Sequence, residues 1–474
     1  MGVKIKGPNI EMYNDDENLA YQFMQKKLAL KIIDSCEEDL EHKRASERFL
    51  GIYFYEFLWP ALKKMIIEKR DIRELGVDKI ELNIIPLDRL GQKNGMSGSG
   101  VVLGYFETEN VTFPSLPMII KLSETGKGHI SEEFEHSMEI FPYLRSKGTF
   151  ILPFYMIKEK NMEFLISSSK VRFDDRKVAV GNSYIRTLMN VLEELEKIYE
   201  YDEISKKTET ICNTFDYLYY CLRDIHSGPS HEKGKVCIED KEYGCEYKRY
   251  LRNTIDIKKN VIDKSIEGLW CEKKNTECTE CTMKCSCPST ILKKLLHKTS
   301  SFHMGGIHGD FHPRNIIYLD YEEDGYNEAS IIDYGWANIN AHIAKDFVLM
   351  ECNFRFMALK SAINSASLKK LCNALTDAEL DNLLNNKSLT DYCNSIIRII
   401  KNIRKNFIKT IKYIDSKLEI DNDFFLKEYI VPMFFVAFGL VKYHSESRNQ
   451  RAMEETLYAL SNFLFKYFDD GEIS

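Results

Sequence analysis

Two periodicities divide this 474-residue chain, and their order is what most restricts the folds open to it. From Lys79 onward the sequence reads as strands. Ile80-Glu81-Leu82-Asn83-Ile84-Ile85-Pro86-Leu87 alternates or runs apolar, residues 101–106 repeat the pattern, and Met118-Ile119-Ile120-Lys121-Leu122 is a third short run. A small-residue loop, Gly95-Met96-Ser97-Gly98-Ser99-Gly100, parts the first two. Residues 130–145 have helical spacing, with Phe134, Met138, Phe141 and Leu144 on one side, and residues 150–156 and 162–167 return to strand. Beyond Val180 the period is mostly helical: 184–199, 211–225, 291–297 and 346–468. Residues 316–319 and 329–332 read as short strands around a turn. A sheet with one helix, followed by a long helical part, predicts an α+β chain. Before it, residues 1–78 carry Leu28, Leu30, Ile32 and Ile33, then Phe49, Leu50, Tyr53, Phe57 and Leu58, and read as an N-terminal helical extension.

Composition narrows the class. Hydrophobic residues make up 44% and charged residues 29%, as in globular proteins, so disorder and collagen-like repeats are excluded. The net charge of −7 disfavours a nucleic-acid partner, which usually needs a basic face. The most apolar run, residues 429–441, contains Pro432 and falls short of the roughly 20 residues a membrane helix needs, so it reads as a buried helix. The first sixteen residues have no apolar signal-peptide core, and Lys6 stands where myristoylation after Gly2 wants Ser or Thr. The expected compartment is the cytoplasm, with no membrane partner.

The densest chemistry lies in Ile307-His308-Gly309-Asp310-Phe311-His312-Pro313-Arg314-Asn315-Ile316-Ile317, followed by Ile331-Ile332-Asp333-Tyr334-Gly335. Phosphoryl transfer from a nucleotide asks little of a protein. One carboxylate takes or orients the acceptor's proton, oxygen ligands hold Mg²⁺ against the phosphates, and a lysine offsets their charge. Asp310 precedes Asn315 by five positions, and Asp333 follows after a strand–turn–strand, which is the order of a kinase catalytic loop and its metal aspartate. Asp310 is thus the candidate base, and Asn315 and Asp333 are candidate Mg²⁺ ligands.

These residues resemble the aminoglycoside phosphotransferase and choline kinase branch of the protein-kinase-like fold, whose loop is H-G-D-x-x-x-x-N and whose metal aspartate is I-D-[WFY]. The likeness covers roughly residues 79–356. Asp346-Phe347-Val348 matches the aspartate that the family tends to carry after the metal site, and the run from His342 to Glu351 is similar to kinase-like domains of bacterial conflict systems. The resemblance implies two lobes: a small antiparallel-sheet N-lobe over 79–170 and a large helical C-lobe over 171–474, interrupted by a Cys-rich insertion at 226–290. It also implies ATP as the nucleotide. Lys121 ends a strand similar to V-A-I-K and is expected to reach the phosphates while paired to a helix glutamate. Glu133 fits that partner best, and Glu135 is the alternative. Gly95, Gly98 and Gly100 precede that strand, where backbone N–H groups can approach phosphates, with Ser97 and Ser99 adding hydroxyls. Residues 167–170 are expected to link the lobes. His308 is expected to brace the loop and His312 to line the site.

Seven of thirteen cysteines fall within 237–287. Cys278, Cys281, Cys285 and Cys287, with Cys271 seven residues upstream, have chelating spacing, and in a reducing compartment this points to a structural Zn²⁺. His231, Cys237 and Cys245 offer further ligands.

The expected activity is ATP- and Mg²⁺-dependent phosphorylation of a hydroxyl. Only twelve residues separate Asp333 from Asp346, which leaves little room for a peptide-binding platform, so the expected acceptor is a small molecule. Acidic residues from Glu193 to Glu203 would suit a cationic one. The alternative is a regulatory nucleotide-binding module of a defence system, or a nucleotidyl-transferring enzyme, in which the N-terminal segment or the Cys-rich insertion binds a protein partner.

Overall fold

The computed structural model describes residues 3–5, 28–32, 80–86, 100–108, 118–126, 129–144, 149–159, 162–168, 186–232, 236–256, 261–262, 287–321, 326–357, 359, 363, 365–374 and 390–469. The chain is α+β, mostly helical with small sheets. It separates into two compact units. Unit 1 holds residues 1–138, 150–186 and 317–335, and unit 2 holds residues 139–149, 187–316 and 336–474.

Unit 1 is built on a seven-stranded sheet. Its strands are β1 (Val3–Ile5), β2 (Leu28–Ile32), β3 (Ile80–Pro86), β4 (Gly100–Thr108), β5 (Met118–Glu124), β6 (Pro153–Glu159) and β7 (Met162–Ser168), in the order β1-β2-β3-β4-β5-β7-β6. Only β2 and β3 run parallel. The first two strands correct the expectation of helix at the N-terminus. Leu28-Ala29-Leu30-Lys31-Ile32 alternates with period two, which is the pattern of a strand, and it pairs in parallel with β3. The remainder of residues 1–78 lies outside the described residues.

Helix α1 (Ile130–Ile140) follows β5. Its buried residues are Ile130, Glu133, Ser137 and Ile140, a face in helical register. The face expected from Phe134 and Met138 is not the one that packs, since Met138 is 39% exposed. A hairpin of Ile316–Tyr321 and Tyr326–Ile331 also belongs largely to this unit. It docks through Phe150, which bridges Ile331, and through the Ile151 N–H, which donates to the Ile331 carbonyl at 2.9 Å. Ile151 and Ile317 pack with Ile119 and Ile332, which ties the hairpin's end to β5.

Unit 2 is helical around a three-stranded antiparallel sheet. Helix α2 (Leu188–Leu195) starts at a capping box between Thr187 and Asn190, and α3 (Tyr201–Glu232) is broken at Gly228 (φ 35°, ψ −138°). The sheet has β8 (Ile238–Glu242) and β10 (Asn338–His342) flanking β9 (Thr299–Ile307). Two short helices, α4 (Tyr243–Glu246) and α5 (Lys248–Leu251), follow β8 and bury Tyr243, Tyr247 and Tyr250. Residues 238–242 therefore belong to the sheet of unit 2 and residues 243–251 to its core, rather than to an irregular insertion; the tyrosines carry the burial that an aliphatic stripe would usually signal.

Helices α6 (Pro288–Leu295), α7 (Ala344–Cys352), α8 (Ser365–Ala374), α9 (Asp391–Ile414), α10 (Asn422–Phe425), α11 (Val431–Leu440) and α12 (Gln450–Asp469) complete the unit. Every residue of α7 is buried. Residues 422–444 are long and apolar enough to cross a membrane, yet 83% of their most apolar eighteen-residue window is buried inside the protein.

Close backbone packing sets the position of the loop after β9. A Cβ on Gly305 would lie 1.9 Å from the His226 carbonyl oxygen, and one on Gly306 would lie 2.6 Å from the Ile225 side chain. The two glycines let α3 cross β9 at backbone distance.

Candidate active site

In unit 1, three residues far apart in sequence meet at one cation. Lys121 sits on β5, opposite Val101 of β4 and Leu165 of β7. Its Nζ donates to Glu133 Oε2 at 2.6 Å and to Asp333 Oδ2 at 3.3 Å. Glu133 lies in the first turn of α1, on the buried face, whereas Glu135 is exposed. Asp333 is the open member, with 37% of its side chain exposed against 6% for Glu133. Burial alone would depress Lys121; the Asp333 and Glu133 carboxylates outweigh it and hold the ammonium above its ordinary range. Burial pushes Glu133 up to about 7, against the pull of Lys121 and with that of Asp333.

Asp333 adopts φ +65°, in the left-handed region, at a cost of about 1 kcal/mol or more. Neighbours fix this turn. The Tyr334 hydroxyl donates to the Ile331 carbonyl at 2.8 Å, and His136 Nδ1 lies 3.0 Å from the Gly335 carbonyl. A strained carboxylate aimed at a lysine and open to solvent is placed to meet something other than the lysine.

In unit 2 the loop from His308 to Asn315 is held from beneath. The buried Asp346 of α7 accepts from the backbone N–H groups of His308 (2.9 Å) and Gly309 (2.7 Å), and His226 Nε2 lies 3.1 Å from the same carboxylate. Gly309 has φ +79°, and a Cβ there would meet the Trp336 carbonyl at 2.2 Å. The Tyr250 hydroxyl donates to the Gly309 carbonyl at 2.6 Å. The conformation of Gly309, and with it the direction of Asp310, is thus set on three sides.

Asn315 donates through Nδ2 to the Asp310 backbone carbonyl (2.9 Å) and carboxylate (3.3 Å). Both neighbours are acceptors, so the amide nitrogen must face them and the amide oxygen must face away. His312 Nδ1 accepts from the Arg314 N–H at 3.2 Å, which leaves the ring proton on Nε2, 3.6 Å from Asp310 Oδ2. Burial raises the Asp310 pKa, but His312, His308 and the Asn315 amide overcome it and hold the carboxyl below its usual range. Such a group is ionised at neutral pH and accepts a hydrogen bond more readily than it takes a full proton.

The structure thus gathers Lys121, Glu133 and Asp333 in one unit, and Asp310, Asn315, His308 and His312 in the other. Gly100 opens β4, and Ser167 lies near the end of β7. Gly95, Gly98, Cys271, Cys278, Cys281 and Cys285 lie outside the described residues, and Cys287 is half-buried at the N-cap of α6. Among the described residues no three His, Cys, Asp or Glu side chains converge as a metal site. His226, Tyr250 and Trp336 escape a sequence reading, because each acts on the loop from a distant segment. The glycines at 305, 306 and 309 are their only local trace. No protein-family model matches the chain, and no curated protein matches it.

Proposed function

We propose that the protein is a nucleotide-dependent phosphotransferase of the protein-kinase-like kind, acting on the hydroxyl of a small molecule. The observation that carries this reading is the Lys121–Glu133–Asp333 cluster. A strand lysine, a helix glutamate and the aspartate after a hairpin are 12 and 212 residues apart, yet share contacts of 2.6 and 3.3 Å. Glu133 holds the lysine extended, and the lysine ammonium is charged and ready to meet phosphate oxygens. Asp333 and the Asn315 amide oxygen are hard donors of the kind that suits Mg²⁺. Bound Mg²⁺ would neutralise phosphate charge as the terminal group leaves ATP.

Asp310 orients the acceptor hydroxyl and takes its proton as that oxygen bonds to phosphorus and the nucleoside diphosphate departs. A depressed pKa suits this role, because in a loose transition state the proton moves late and positioning outweighs basicity. Asn315 and His312 keep the carboxylate aimed. Cys278, Cys281 and Cys285, with Cys271 or Cys287, are proposed to hold a structural Zn²⁺ apart from this chemistry.

The test is incubation with γ-labelled and, separately, α-labelled ATP, Mg²⁺ and a metabolite extract. Transfer of the γ-label alone is expected. Asp310→Asn should lower that transfer about a hundredfold or more while nucleotide binding persists, whereas Lys121→Met should weaken nucleotide binding itself. Transfer of the α-label would instead make the protein a nucleotidyltransferase.

A further inference from the structure

The chemistry beside Asp310 in unit 2 bears on what the acceptor carries. Tyr250, which holds the Gly309 carbonyl, belongs to a segment rich in cations. Arg249 lies over the Trp336 ring at 4.3 Å, and the Tyr250 ring is 5.5 Å from the same indole. Lys442 donates from Nζ to the backbone carbonyls of Tyr250 (3.0 Å) and Arg252 (3.1 Å). Two carbonyls occupy two of its three ammonium protons. Arg252 is exposed, and among the described residues neither Arg252 nor Lys442 has a carboxylate within ion-pair distance.

Like charges held together without a counter-charge are unfavourable. Burial and the Arg252 cation push Lys442 below its ordinary range, with Asp310 the carboxylate that opposes them. Gly439 brings the helix before Lys442 within backbone contact of Tyr250, where a Cβ would lie 2.6 Å from the Tyr250 carbonyl oxygen. Lys442 is therefore held against the backbone of Tyr250 and Arg252. Two of the acidic residues that would have suited a cationic acceptor are already engaged: Glu196 binds Arg448 at 2.8 Å and Glu194 binds Lys207 at 2.6 Å.

We propose that the acceptor hydroxyl belongs to a molecule bearing an anionic group, a phosphate or a carboxylate, which Arg252 and Lys442 hold beside Asp310. The inference rests on the phosphotransferase reading for the word acceptor, but the anion site stands on its own geometry. Arginine supplies a planar pair of donors and lysine a point charge, a combination suited to either oxyanion.

Two measurements test it. Inorganic phosphate and acetate are titrated at constant ionic strength and followed through tryptophan fluorescence, with Trp336→Phe identifying the reporter. Arg252→Glu and Lys442→Gln are compared with wild type after thermal unfolding shows that they fold. Because the Arg252 side chain is exposed, its replacement should leave the fold intact. Wild type should bind at least one of the two anions, and the arm that binds names the group. Each variant should weaken that binding about tenfold or more. In a second arm, γ-label transfer is compared among cationic, neutral and anionic hydroxyl compounds, the anionic ones including sugar phosphates and hydroxy acids. The anionic set should be preferred, with the preference lost in Arg252→Glu.

Anion binding that is absent from wild type or unchanged in both variants overturns the proposal, as does preferred transfer to cationic compounds. Loss of anion binding in the variants with no γ-transfer to any compound supports the anion site and counts against the phosphotransferase reading.

Discussion

Lys121 is one cation shared by two carboxylates, and that stoichiometry has a pH consequence. Glu133 carries a folded-state pKa of about 7 against an ordinary 4.5. A raised acid favours the protonated form, so its contribution to stability is full below about 4.5 and is lost as pH rises through about 7. The proposed function would run the other way, because the carboxylate that extends Lys121 exists only above that pKa. Nucleotide affinity is therefore expected to fall as pH drops from 8 to 6, while unit 1 becomes no less stable. Binding titrations across that range check it: wild type should show the fall, and Glu133→Gln should be weak and nearly flat. Asp333 is the member with solvent access, so it is also the one a ligand can draw away from Lys121 without unfolding anything.

At the scale of elements, the passage of α3 over β9 is the tightest joint. Gly305→Ala would place a methyl group 1.9 Å from a backbone oxygen that cannot swing aside. A loss of roughly 2–4 kcal/mol is expected, as for other overpacked or strained sites, and thermal unfolding would read it. The same joint shows what a sequence can disclose. The loop itself was legible, because Asp310, Asn315 and Asp333 are spaced along a short stretch. Glu133 was legible only through the family resemblance, with Glu135 left open, because the face it shares with Ile130, Ser137 and Ile140 is not the one that Phe134 and Met138 suggest. What holds the loop was not, because the His226–Asp346 contact spans 120 residues and depends on backbone approach at two glycines. Strand β2 was misread for a different reason. Five residues with three aliphatic side chains satisfy period two and, set among charged residues, also look helical; only pairing with β3 decides between them. The tyrosines of α4 and α5 hid a core segment among cysteines and charges.

For the whole molecule, the buried ion cluster of unit 2 sets the acid limit. Glu351 accepts from Arg355 and Arg404 at 2.7 Å each and from the Tyr429 hydroxyl at 2.7 Å, joining α7, α9 and the turn before α11. Burial opposes its charge, but the two arginines prevail and hold it down at about 2. A depressed acid contributes stability above about 4.5 and loses it as pH falls toward 2; for this group that is about 3 kcal/mol. Chemical denaturation at pH 7, 4 and 2.5 should show the decline. Glu351→Gln should be destabilised by roughly 3–5 kcal/mol at pH 7, because two arginines lose their anion, and it should show a shallower acid slope. The proposed zinc makes a second prediction at this scale. Protein purified without chelator should contain about one equivalent, and Cys278→Ser/Cys281→Ser should contain little, by elemental analysis. Finally, the apolar helix α11 within residues 422–444, covered in part by α5 and α7, has a history as well as a place. During synthesis the ribosome releases residues 243–251 and 344–352 first, so two of the surfaces that will cover this apolar stretch are already outside when it emerges, and α12 follows to complete the cover. A chain diluted from denaturant has no such head start. Its most apolar segment competes at once for its own cover and for other chains, so refolding from denaturant is expected to lose more protein to aggregation than folding during synthesis does.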